Sequence, residues 1–169
     1  MQTSFMDKKK LSFCCTLLII FSVGLFRSNI AVAQYMPSFN MRLTNGKLFS
    51  AKDLSHQIPV IIIYFAPDCG HCLTLMDSLF KKIRNFKKAQ IVMVTFKPLD
   101  EVTAFEKTYH TVRYQNIKVG IETPVFFFRD YYKVDNTPFT ALYNRHGKLI
   151  IAYRNKTPVD DLIRHLHVL

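Results

Sequence analysis

The sequence predicts an α/β fold, a three-layer α/β/α sandwich with a mixed central sheet and an N-terminal β-hairpin extension. Three observations carry this. Val60-Ile61-Ile62-Ile63-Tyr64-Phe65 is an unbroken β-branched and aromatic run, the pattern of a strand covered on both faces. A helical period follows at once, with Leu75, Met76, Leu79, Phe80, Ile83 and Phe86 spaced by three and four and Lys81, Lys82, Arg84 and Lys87 between them. The chain then closes on a hairpin and a last amphipathic helix.

Taken in order, Met41 to Phe49 reads as two short strands about Asn45-Gly46, a pair that tolerates the positive φ of a tight turn. Ser50 to Leu54 reads as a helical turn. After the first buried strand and its helix, Ile91 to Phe96 repeats the buried-strand pattern. Leu99 to His110 is a second helix with Asp100, Glu101 and Glu106 early in it. A polar connection follows. Thr123-Pro124 is then expected to cap and open a short aromatic helix reaching Tyr131. Phe139 to Tyr143 and Leu149 to Tyr153 are strands joined through Asn144-Arg145-His146-Gly147. Thr157-Pro158 starts the final helix, with Val159, Leu162, Ile163 and Leu166 on one face.

At 169 residues the chain suits one domain, expected over residues 34–169. Residues 1–33 are read as a signal peptide. Lys8, Lys9 and Lys10 precede an apolar run from Leu11 to Phe26, and Ala31-Val32-Ala33 sets small residues ahead of Gln34. Left uncleaved, the same segment is a membrane anchor, although its run of about 16 residues is shorter than the roughly 20 of a spanning helix. Cys14 and Cys15 lie inside the run rather than after it, so lipidation is not expected. The segment holds four of the 23 Lys and Arg and one of the 12 Asp and Glu, so the formal charge falls from +11 to +8 on its removal. No nucleic-acid partner is expected, because neither a binding motif nor a clustered basic face is visible. Lys81-Lys82 and Lys87-Lys88 read as an ordinary solvated face.

Two of the four cysteines leave with the signal, and Cys69 and Cys72 remain. Small exported domains use disulfides as staples, but in the chain-entropy view stabilisation grows with the loop closed. A ring with two intervening residues is a poor staple, so the pair points to chemistry. Cys69-Gly70-His71-Cys72 lies between a buried strand and the first turn of a helix, where free amides and the macrodipole favour a thiolate. Cys69, at the helix start, is the expected nucleophile and Cys72, one turn in, the resolving thiol. A positively charged His71 stabilises the Cys69 thiolate, while Asp68 opposes it or caps the helix.

Phe65-Ala66-Pro67-Asp68-Cys69-Gly70-His71-Cys72 resembles the active-site segment of the thioredoxin superfamily. The export signal, the Asn45-Gly46-Lys47 hairpin, and Val134-Asp135-Asn136-Thr137-Pro138-Phe139 followed by Asn144 to Lys148 look like its TlpA-like bacterial branch. The resemblance spans most of residues 36–169. It implies a thioredoxin-like fold and an exported protein-disulfide oxidoreductase, periplasmic or otherwise outside the cytoplasm and membrane-anchored if the N-terminal segment stays. It further implies a substrate-binding loop of Thr137 and a cis Pro138, with Pro67 beside the dithiol. No cofactor beyond a redox-active Cys69–Cys72 disulfide is implied and no metal; the partners are protein thiols and disulfides and a membrane-bound electron donor or acceptor.

Two departures stand out. Thioredoxins proper carry a buried Asp six residues before the first cysteine, where this chain has Ile63, and the usual tryptophan before the motif is absent. Gly70-His71 is similar to the dipeptide of protein disulfide isomerases, which leaves the direction of electron flow open, as the oligomeric state is. Three rival readings have discriminating features. A zinc site needs four ligands and the motif supplies two, with His110 and His146 in unrelated segments. By family likeness a thiol peroxidase needs a threonine where Ala66 stands. A binding or chaperone-like module with a passive dithiol would expose aromatics such as Phe126-Phe127-Phe128.

Overall fold

The computed structural model describes residues 35–169; the expected signal segment lies outside the described residues. One seven-stranded mixed sheet runs through this portion. Its strands are β1 (Asn40–Leu43), β2 (Leu48–Ser50), β3 (Val60–Tyr64), β4 (Gln90–Thr95), β5 (Ile117–Thr123), β6 (Phe139–Tyr143) and β7 (Leu149–Arg154), in the spatial order β2-β1-β5-β4-β3-β6-β7. The parallel pairs are β3 with β4 and β4 with β5. All others are antiparallel. Four α-helices complete the fold: α1 (Gly70–Lys81), α2 (Leu99–Tyr109), α3 (Phe127–Tyr132) and α4 (Val159–His167).

The unbroken apolar run of β3 feeds two cores, because successive side chains of a strand point to opposite faces. Ile61 and Ile63, with Ile91 and Met93 of β4, pack under α1 (Leu75, Met76, Leu79), α2 (Val102, Phe105) and α4 (Val159, Leu162, Leu166). Ile62 and Tyr64, with Val92 and Val94, pack against Phe39, Met41 and the Phe128 and Tyr132 side chains of α3. Helices therefore cover both faces, three on one and the short α3 on the other. Among the described residues no helix is long and apolar enough to cross a membrane.

Two sequence expectations are corrected. The polar connection before Thr123 contains β5, which lies between β1 and β4. Its alternation of Ile117, Val119 and Ile121 is interrupted by Lys118, Gly120 and Glu122, and the apparent polarity hides a strand. Gly120 is required there, since a Cβ would stand 2.6 Å from the Arg42 carbonyl oxygen of β1. Thr123 does not cap a helix either. It ends β5, the Thr123–Pro124 peptide is cis, and α3 begins only at Phe127. The acceptor for that helix start is Glu122, whose Oε2 takes the Phe128 N–H at 2.8 Å.

Candidate active site

β3 ends at Tyr64, and the chain turns through Phe65 to Asp68 into α1. Cys69 is the N-cap, one place earlier than a first helical residue, with extended backbone (φ −92, ψ 118) and its carbonyl taking the Leu73 N–H at 3.0 Å. It stands at the helix end whose first-turn amides have no partner within the helix. Cys69 is half-buried and Cys72 fully buried, both as free thiols.

The two sulfurs are held in opposite directions. Burial pushes the Cys69 thiol up, but bonds from the Cys72 thiol and amide, the Thr137 side chain and the His71 amide outweigh it, and the group ends below its ordinary value. Burial dominates at Cys72 and pushes it up to about 12, despite opposing bonds from the Ala66 backbone and the Thr137 side chain. The His71 side chain is exposed. The backbone amide of His71 favours the Cys69 thiolate.

Thr137 reaches the site from the loop between α3 and β6. The Cys69 thiol donates to the Thr137 carbonyl oxygen at 3.5 Å, and the Thr137 side chain favours the thiolate form of either sulfur. The Thr137–Pro138 peptide is cis. This loop is pinned on both sides: the Pro138 carbonyl accepts the Asn155 N–H at 2.8 Å, and Arg154 donates to the carbonyls of Tyr132 and Lys133 at 2.7 and 2.9 Å. Arg154 thereby supplies donors to the open C-terminal end of α3. Pro67, with Leu73, Phe105 and Tyr109, lines a cavity of about 280 Å³ on the α2 side of the dithiol. Tyr64, Phe96 and Arg129 line a smaller one beside Asn136 and Thr137.

Asp68 does not cap α1. Its carboxylate pairs with Lys97, which holds it below the usual carboxylate range and offsets an anion next to Cys69. Lys97, on the turn after β4, also approaches Glu101 at 3.9 Å. No sequence signal links Asp68 to Lys97, because the pair forms across two strand ends. The Phe126-Phe127-Phe128 run divides: Phe128 is in the core, while Phe126 is 41% exposed and its ring lies 5.7 Å from that of Phe96. Ile63, in the place of the buried acid, is sealed in the core. The interior acid lies elsewhere, at Glu122, 1% exposed and bonded to Tyr64. Among the described residues no three His, Cys, Asp or Glu side chains gather as a metal cluster.

The profile of the AhpC/TSA family matches residues 32–165. The chain belongs to the AhpC/TSA family. No curated protein sequence matches it. Among solved structures, this family member is similar to a candidate protein disulfide isomerase of Bacteroides thetaiotaomicron, at 21% identity and TM-score 0.65 over 80% of this chain and 87% of that one. It is also similar to a secreted Mycobacterium tuberculosis disulfide oxidoreductase described as homologous to E. coli DsbE, at 17% identity and TM-score 0.64 over 78% and 96%. An exposed lipoprotein thioredoxin of Streptococcus pneumoniae matches at 19% identity and TM-score 0.60 over 79% and 100%. These likenesses establish the thioredoxin-like fold of the AhpC/TSA chain.

Proposed function

We propose that the protein is an exported thiol–disulfide oxidoreductase that exchanges disulfides with protein substrates through Cys69 and Cys72. The observation that carries this is the inequality of the two sulfurs: one accessible and lowered at a helix N-cap, the other buried and raised. The Cys69 thiolate attacks a substrate disulfide, forming a mixed disulfide and releasing one substrate thiolate. Cys72 then loses its proton and attacks the Cys69 sulfur. The second substrate sulfur leaves, and two electrons have passed from the dithiol to the substrate. A resolving thiol held protonated until the mixed disulfide forms leaves Cys69 as the nucleophile that meets the substrate. Thr137, whose side chain favours the thiolate of either sulfur, is the polar group beside the pair that can relay that proton, since Ile63 offers none.

The Pro67 and Thr137–Pro138 segments flank Cys69 and present backbone to an extended substrate. A membrane-bound electron donor or acceptor resets the pair. Export is supported by the order of charge, apolar run and small residues at the N-terminus, and two structural neighbours are described as secreted or exposed. A peroxidase reading has Ala66, 5% exposed, where its threonine is required.

Insulin disulfide reduction tests the proposal. Cys69→Ser should abolish turnover and Cys72→Ser should accumulate mixed disulfides with substrate; full activity in Cys69→Ser overturns the assignment. Equilibration with glutathione sets the direction: a potential near about −270 mV marks a reductase, and one near about −120 to −180 mV an oxidant or isomerase.

A further inference from the structure

A large cleft lies far from the dithiol. It holds about 1080 Å³ and is lined by Arg84, Lys87, Lys88, Arg145 and His167 around an apolar floor that includes Ile58. No Asp or Glu lines it. Pro59 and Ile58 lead into β3, whose other end leads to Cys69. Arg145 sits in the turn after β6, at the end of that strand remote from Thr137. The cleft and the dithiol thus occupy opposite poles of the sheet.

Ordinary helix electrostatics explains some of the cations near this pole. Lys81 lies in the last turn of α1, and Arg164, His165 and His167 in that of α4, where positive charge complements the macrodipole. Arg84, Lys87 and Lys88 lie beyond α1, exposed, and none pairs with a carboxylate side chain among the described residues. Arg145 comes from a distant part of the chain and donates to the Leu169 backbone oxygen at 2.5 Å. Residues that read along the sequence as a solvated helix face are gathered by the fold into a largely basic patch.

The chain also enters the domain here. Tyr35 bridges Lys148, and the Met36 N–H donates to the Gly147 carbonyl at 2.8 Å, on the same turn as Arg145. Thirty-four residues precede Tyr35, among them the apolar run Leu11 to Phe26. We propose that the pole formed by Arg84, Lys87, Lys88 and Arg145 docks on an anionic phospholipid bilayer, which leaves Cys69 facing away from it. The cations take the phosphate headgroups, and the apolar floor sits beneath them. A basic patch beside an apolar floor combines electrostatic attraction to anionic headgroups with buried apolar area. The patch acts in the same way whether the segment is retained or removed. This inference does not depend on the redox chemistry.

Vesicle flotation tests it. The full chain and the variant Arg84→Glu/Lys87→Glu/Lys88→Glu are each mixed with phosphatidylcholine vesicles and with vesicles containing phosphatidylglycerol, at low and high salt. Circular dichroism and the free-thiol count verify that the variant is folded. The wild type should favour the anionic vesicles. The variant should lose that preference by on the order of a hundredfold or more, given about 1 kcal/mol for each cation at a charged surface. High salt should weaken the wild-type preference. Lys8 to Lys10 are present in both chains, so the contrast reads the cleft alone. Equal preference in the two chains overturns the proposal. So does a wild type indifferent to lipid charge, including one that instead binds heparin, which would assign the cleft to an acidic macromolecule.

Discussion

The hydroxyl of Tyr64 donates to Glu122 Oε1 at 2.9 Å in the interior, between the end of β3 and the end of β5. The other carboxylate oxygen takes the Phe128 amide, so one buried acid ties two strands to the start of α3. Tyr64→Phe leaves Glu122 Oε1 without its donor and should cost about 1–3 kcal/mol, read by urea unfolding.

Burial raises the Glu122 carboxyl above its ordinary 4.5, against the bonds from Phe128 and Tyr64. A raised folded value means that the unfolded chain releases its proton first as pH rises. The stabilisation is complete below 4.5 and is lost as pH climbs through the folded value. Glu122→Gln has no such proton. Wild type should lose stability relative to Glu122→Gln across the pH range just above 4.5, and a difference that stays flat there contradicts the assignment.

The reduced dithiol should titrate unevenly. Iodoacetamide labelling of Cys69 should reach half its maximal rate below pH 9.0, the ordinary thiol value, whereas Cys72 should resist until about 12. The linkage signs are opposite. Cys69 adds stability as pH rises through its lowered value towards 9.0, and Cys72 removes stability between 9.0 and about 12. Melting temperatures of the reduced protein should therefore fall above pH 9.0. They should fall less in Cys72→Ala.

Thr137→Val deletes a hydroxyl that favours the thiolate of either sulfur while keeping the shape of the side chain. With a hydrogen bond to a charged group contributing about 1.5–3 kcal/mol at most, the Cys69 titration should move up by roughly one pH unit. Unfolding in urea should change little. An unmoved labelling profile assigns Thr137 a purely backbone role.

Gly120→Ala probes the seam between β1 and β5. A Cβ 2.6 Å from the Arg42 carbonyl oxygen forces the strands apart, with an expected loss of about 1–3 kcal/mol. Amide exchange should speed up in β1 and β2 ahead of the remaining strands.

How much was legible follows from the range of the interactions. The runs of β3 and β4, the period of α1, the Asn45-Gly46 turn and the cysteine pair at a strand-to-helix junction are local patterns, and each is found where the sequence places it. β5 was hidden because the side chains between its apolar residues serve long-range partners: Gly120 makes room for another backbone, and Glu122 holds Tyr64 across the core. The start of α3 was misread for the same reason. Thr123-Pro124 carries the local signature of a helix start, yet the acceptor is the residue before it, brought into place by a strand. At the dithiol, residue types announce the chemistry. The pairing of Lys97 with Asp68, the bond from Cys69 to the Thr137 carbonyl and the outward position of His71 belong to the folded arrangement alone.

The β1–β2 hairpin on the flank of β5 has a consequence for how the sheet meets other chains. Without it, the seven-residue β5 would present a long row of open amides and carbonyls to any passing chain. With it, that side of the sheet terminates in the three residues of β2, too short a template to recruit a foreign strand. The chain is thereby shielded from edge-to-edge pairing with other strands along this margin.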